Sequence, residues 1–214
     1  MEIHAPEGPI HSVRHFLIHL LTITVGILIA LSLEGLNEWR HHRNLVHEAQ
    51  SNLANELHDN KRALEGKLKG NAERAKDLKR ALQVVTDVLT RGKSDIESYQ
   101  IGYNPAQLSA TSWNTAGAMG ALGHMKYAAV KKYSAVYDLQ QQFNLEQQRA
   151  IANILAAIAS TQGQNPEKSP RADIERSKQQ IQTALVDIIA EEQLGNALLR
   201  TYDEALAEPA KASH

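Results

Sequence analysis

The residues whose types and spacing could carry chemistry are histidines, carboxylates, closely spaced glycines and a few aromatics. His11, His15 and His19 fall at i, i+4 and i+8, which on a helix puts them on one face. Two imidazoles so spaced can share a metal, and a membrane histidine can ligate haem when a second helix supplies the opposite ligand. The chain has no Cys-x-x-Cys-His and no second apolar run to provide that ligand. Haem or metal binding through these histidines is therefore a third-ranked reading. The favoured one makes them interface residues where a helix enters a membrane, with His19 hydrogen-bonded inside an oligomer. His41, His42 and His47 do not share a face and suit contact with lipid headgroups.

Asp187, Glu191 and Glu192 could suggest a carboxylate site. A di-iron bundle, however, needs Glu-x-x-His pairs on facing helices, and the segment around these acids has no histidine, so they read as a solvated acidic face. Gly117, Gly120 and Gly123 lack the strand and the Lys or Ser/Thr of a phosphate loop and read as close packing. Trp113 and the tyrosines Tyr127, Tyr133 and Tyr137 remain; Trp113, Tyr133 and Tyr137 form a possible ligand corner, with core packing as the competing reading. No catalytic residue, metal ligand or cofactor is assigned, and the chain is not expected to be an enzyme.

Charge and composition narrow the classes further. Beyond residue 33 the chain holds 22 basic and 22 acidic residues, so a nucleic-acid partner, which calls for a basic footprint, is not expected. Cysteine is absent, which excludes disulfides and thiolate chemistry. Aromatics make up only 5% and Ala, Leu, Gln, Glu, Lys and Arg dominate, the composition of long helices packed through aliphatic seams.

The element that must position everything else is Phe16 to Leu33, eighteen residues without a formal charge. At helical rise it is roughly 27 Å long, close to the hydrocarbon thickness of a bilayer. A signal peptide would have a shorter apolar core, and a buried soluble helix would show a polar face. The reading is an uncleaved single-pass anchor over 12–35, behind a flexible N-terminus 1–11 in which Gly8 or Ser12 caps the helix and Pro9 suits its first turn. Trp39 falls in the headgroup belt, followed by Arg40 and Arg43. These two balance Arg14 and the amino terminus, so the layout of a signal anchor decides orientation. It places the protein in a bacterial inner membrane with its helical domain in the periplasm.

Apolar residues continue at steps of 3 and 4 from Leu36 through Trp39, Val46, Leu53, Leu57 and Leu64. After one doubled 4-step to Leu68 they run on to Leu89, which is a heptad seam with a single stutter. Arg43, Gln50, Asn60 and Asn71 interrupt it, Gly66 and Gly70 lie off it, and Gly92 ends it. Residues 92–104 read as a connection in which Ser94 and Glu97 could cap a single turn. A short helix is expected from Pro105 through Trp113 to the glycine corner, then a long helix from about Met125 to Gln162. A loop with Gly163, Pro166 and Pro170 follows, then a third long helix capped by Ser169, with Asp173 in its first turn. The fold class is all-α: one N-terminal transmembrane helix continuing into a long-helix antiparallel bundle over 36–208, with a tail 209–214.

Gly26-Ile-Leu-Ile-Ala-Leu31 followed by Asn37-Glu38, Leu53-Ala-Asn-Glu-Leu57 with Asn60, and the Trp113 to Tyr137 stretch carry a resemblance. The chain resembles a group of uncharacterised bacterial single-span membrane proteins in which a Gly-Ile-Leu-Ile-Ala-Leu span runs into a long helical domain. The likeness implies topology and no activity.

The function expected is a membrane-anchored helical interaction or scaffold protein, an accessory subunit of a membrane complex. The alternative is an extracytoplasmic sensor-like bundle holding a ligand at the Trp113 to Tyr137 corner. Its partners are the lipid bilayer and a second copy or another membrane protein. Thr22, Gly26 and Ala30 form a small-xxx-small stripe for self-association. Val46 and Leu53 extend that association into a coiled-coil stalk, unless a break at Gly66 to Gly70 folds the first helix back on itself. Residues 61–80 carry eight basic against three acidic residues and 184–208 six acidic against one basic. They are expected side by side, on first and third long helices that run parallel, with Lys76 and Lys79 against Glu191 and Glu192.

Overall fold

The computed structural model describes residues 13–96, 100–161 and 165–207, apart from the side chains of 14 and 15. The lead-in 1–11, the caps expected at Gly8 or Ser12, the His11 and His15 side chains, Glu97, Gly163 and the tail 209–214 lie outside the described residues. Within them the regular structure is all helical: α1 (Val13–Arg91), α2 (Thr111–Ala118), α3 (Ala121–His124), α4 (Tyr127–Thr161), a 3-10 turn (Pro166–Lys168) and α5 (Arg171–Leu206). The chain divides inside α1 into two units, Met1–Glu48 and Ala49–His214. The compact bundle thus begins at Ala49 and not at 36.

In the first unit α1 carries an 18-residue window of mean hydropathy 2.4, none of it covered by other parts of the chain. Leu21, Ile27 and Leu31 are each more than half exposed. The hydroxyls in this run are satisfied within the helix: Thr22 Oγ1 donates to the Ile18 carbonyl (2.9 Å), Thr24 Oγ1 to Leu20 (2.8 Å) and Ser32 Oγ to Leu28 (2.6 Å). A medium without water requires such internal pairing. Among the described residues this is one helix long and apolar enough to cross a membrane.

The second unit packs α1, α4 and α5 around Leu57, Leu64, Leu78, Phe143, Ile154, Ile181, Ile188 and Leu198, all at most 1% exposed. α1 passes through Gly66 and Gly70 without a break and stops at Gly92, whose φ of 77° is the left-handed conformation glycine tolerates best. The fold-back at Gly66 to Gly70 does not occur. One glycine the sequence does not advertise matters more: a Cβ on Gly195 would lie 2.9 Å from a Leu68 methyl and 3.2 Å from the Phe143 ring, so α5 comes this close to its neighbours only without a side chain there.

The path of the chain differs from the expected one. Tyr137 meets Glu56 and Gln140 meets Asn60, while Thr161, at the far end of α4, shares a recess with Val85, so α1 and α4 run parallel. Lys61 pairs with Asp203, Lys67 with Glu191, and Arg171 with the Leu89 carbonyl, so α5 is antiparallel to α1. The first and third long helices are therefore antiparallel, not parallel. Charge attraction does bring 61–80 against 184–208, through Lys61 and Lys67, whereas Lys76 pairs with Glu73 on its own helix.

The physical reason lies in the connection. From Glu56 to Arg91 α1 rises about 53 Å, and the nineteen residues 92–110 can reach about 59 Å at a polyproline rise. They do not turn the chain at the far end; they carry it back to where α1 enters the unit. Pro105 consequently lies in this strap and opens no helix, since Pro holds Asn104 extended and α2 starts only at Thr111. The Ser169 cap is also replaced: Pro170 is the N-cap of α5, and the Ser169 hydroxyl donates to the Asn165 carbonyl (3.0 Å).

Candidate functional site: the polar column under the strap

The seam interruptions Asn60, Asn71, Gln140 and Gln147 are all buried, and burial obliges most polar atoms to find partners. Three of these four bind the strap. Gln147 grips Ala106 with both ends of its amide, Oε1 accepting from the Ala106 N–H (2.7 Å) and Nε2 donating to its carbonyl (2.8 Å). Asn60 does the same to Ser109, accepting its N–H (2.8 Å) and donating to its carbonyl (2.7 Å), and Gln140 donates to that carbonyl too (2.8 Å). Gln140 Oε1 also accepts from the Tyr202 hydroxyl (2.6 Å). Tyr103, Ala106 and Ser109 are the strap's attachment points. Their three-residue spacing is the repeat of an extended polyproline-type chain, which turns every third residue to one side.

At Ser109 the column continues into α2. Ala110, the N-cap of α2, offers no side-chain cap, and Glu56 from α1 takes its place. Its carboxylate accepts from the Ser112 N–H (2.9 Å), the Ser109 hydroxyl (2.6 Å) and the Tyr137 hydroxyl (2.7 Å). Partial burial alone would raise this carboxyl, but the hydrogen bonds from Ser109, Ser112 and Tyr137 outweigh it and hold Glu56 below the ordinary carboxylate value.

At Tyr103 the column is ionic. Lys67 Nζ lies 3.2 Å from Glu191 Oε2, both side chains at most 1% exposed, and 3.6 Å from the centre of the Tyr103 ring. The Tyr103 hydroxyl donates to Glu191 Oε1 (2.6 Å). Arg74 stands over the same ring and holds Asn71 Oδ1 (3.0 Å). Burial pushes the Lys67 ammonium down to about 8 despite the attraction of Glu191, and burial and Glu191 together push the Tyr103 phenol up. Glu191 is thus a buried partner and not part of a solvated acidic face. Asp187 is also buried, accepting from Asn153 (2.6 Å), and Glu192 alone of the three is exposed.

At the expected ligand corner two of the three residues meet. Trp113 stacks on Tyr137 with centroids 5.3 Å apart and planes at 19°, and Tyr133 is buried beside them in α4. Among the described residues no group of three or more His, Asp or Glu is placed to hold a metal. Of the residues expected in self-association, Thr22, Gly26 and Ala30 are exposed, Val46 is half-buried, and Leu53 is fully enclosed in the bundle core. The seam left outside the bundle core is reduced to Leu36–Val46, fewer than two heptads.

Lys67, Tyr103 and Glu56 escape the sequence reading because none sits on an apolar seam. The only signal for the column is the run of polar residues at seam positions. What the column can do is hold a strap and fix a register. No protein family matches the chain, and comparison with curated proteins and with solved structures finds no match.

Proposed function

We propose that this is a membrane-anchored helical scaffold, an accessory subunit that carries the Ala49–Leu206 bundle on a single span and meets another membrane protein or a second copy. One observation carries the reading: the apolar run of α1 is wholly uncovered by its own chain, and it passes without a helix break into the Ala49–Leu206 bundle. A segment so exposed requires lipid or protein around it. The Thr22, Gly26, Ala30 stripe supports pairing of spans, since its backbone is open to close approach. The finer placement, a bacterial inner membrane with the bundle on its outer face, belongs to the same proposal.

Affinity purification of the full chain in mild detergent, followed by mass spectrometry, tests the reading. A stoichiometric protein partner or a homo-oligomer is expected. A monomer carrying a stoichiometric small molecule would overturn it in favour of a ligand sensor. A periplasm-dependent reporter fused after residue 207 is expected to be active, and activity of a cytoplasm-dependent reporter instead would reverse the orientation.

A further inference from the structure

Just beyond the apolar run, the charges of α1 are sorted by face. With about 100° per residue, Arg43, Leu36, His47 and Arg40 fall within an arc of about 60°, flanked by Trp39. Glu48, Glu34 and Glu38 occupy an arc centred about 150° away. Leu36 and Trp39 are 43% and 55% exposed, and Arg40, Arg43 and His47 are exposed as well. The Arg43 guanidinium lies 5.4 Å from the Trp39 ring centre, so aromatic and cation form one platform. His42, off this face, stands 4.0 Å from Glu38. Counting from Leu36, Trp39, Arg40 and Arg43 follow by about 4.5, 6 and 10.5 Å, in the headgroup layer or within a side chain's reach of it.

We propose that this face binds the phosphodiester headgroups of anionic phospholipids. Guanidinium forks match phosphate oxygens in pairs, and an indole stacked beneath one of them suits the boundary between acyl chain and headgroup. A second copy is the poorer occupant. Arg43 would oppose its own counterpart at the centre of the seam, with Arg40 and His47 flanking it, and the uncovered seam is too short to offset that repulsion. The three glutamates point elsewhere, so the lipid is recruited on one side of the helix rather than around it. The inference rests on the membrane anchoring proposed above.

The test uses the full chain carrying Trp113→Phe, which leaves Trp39 as its one tryptophan. The protein is reconstituted into vesicles of equal phosphatidylcholine and phosphatidylglycerol, with one lipid or the other brominated near the headgroup. Brominated phosphatidylglycerol is expected to quench Trp39 more strongly than brominated phosphatidylcholine. The local enrichment should be on the order of five-fold at low salt, about one arginine's worth. Arg40→Gln with Arg43→Gln should erase the difference while leaving quenching by phosphatidylcholine in place. Equal quenching by the two lipids would overturn the headgroup site and leave the anchor standing, whereas no quenching by either would remove the anchor itself. Rapid disulfide formation by Val46→Cys in the same vesicles would assign the face to a second copy and overturn the proposal.

Discussion

Lys67 and Glu191 neutralise each other where neither can reach water. A buried pair is worth little over an apolar substitute, but breaking it leaves a bare charge in the core. Lys67→Met should therefore cost about 3–5 kcal/mol in denaturant unfolding, and Lys67→Met combined with Glu191→Leu much less than the sum of the two single changes. Additive costs would mean that the two charges do not act as a pair. The same pair sets a pH dependence. Folded Lys67 loses its proton near 8, the unfolded side chain near 10.4, so between those values the unfolded chain binds more protons and stability rises with pH. A gain of about 1–3 kcal/mol is expected across that window, read as a rising denaturation midpoint, and it should be missing from the double variant. At Gly195, Val would push on Leu68 and Phe143 and should destabilise by about 1–3 kcal/mol; an unchanged midpoint would show that α5 can shift without loss.

Among the elements, the strap has no regular backbone ladder in its attached part and depends on side chains for its place. Gln147→Leu removes both hydrogen bonds to Ala106 at once. Amide exchange should speed up by at least about ten-fold at Ala106 and at Ser109, while α4 and α5 stay protected; unchanged exchange would show that the Tyr103 and Ser109 attachments suffice. The long helices could be read from the sequence because their buried faces repeat every 3.6 residues and because Gly92 and the Pro166 to Pro170 stretch mark where they stop. The strap could not. Its period of three is carried by Tyr103, Ala106 and Ser109, residues of unlike chemistry, and their partners lie 31 to 88 positions away. Lys67 was hidden for the same reason: it falls beside the Leu64, Leu68 seam, and what encloses it is a tyrosine on the strap.

For the whole molecule, the charge contrast between 61–80 and 184–208 correctly brought α1 and α5 together but said nothing of direction, since attraction between two charged helices is indifferent to which end leads. Direction was decided by whether residues 92–110 turn or traverse. In the first unit, a side chain added at Gly26 meets nothing within 4 Å in the single chain. Gly26→Ile should therefore leave the span intact and weaken its association in a membrane reporter assay. Unchanged association would remove the Thr22, Gly26, Ala30 face from consideration.

Because strap and helices together make an even number of traverses, the chain enters the bundle at Ala49 and leaves it after Leu206 at the same end. That has a mechanical consequence. Tension applied between those two points does not shear α5 along α1; it peels the helices apart from that end, one contact after another. The exposed bridge between Lys61 and Asp203 lies early in that sequence, and the sealed Lys67–Glu191 pair follows only when its turn comes. Pulled in this way, the domain should yield at low force and in steps, and the buried ion pair marks where the first of those steps would pause.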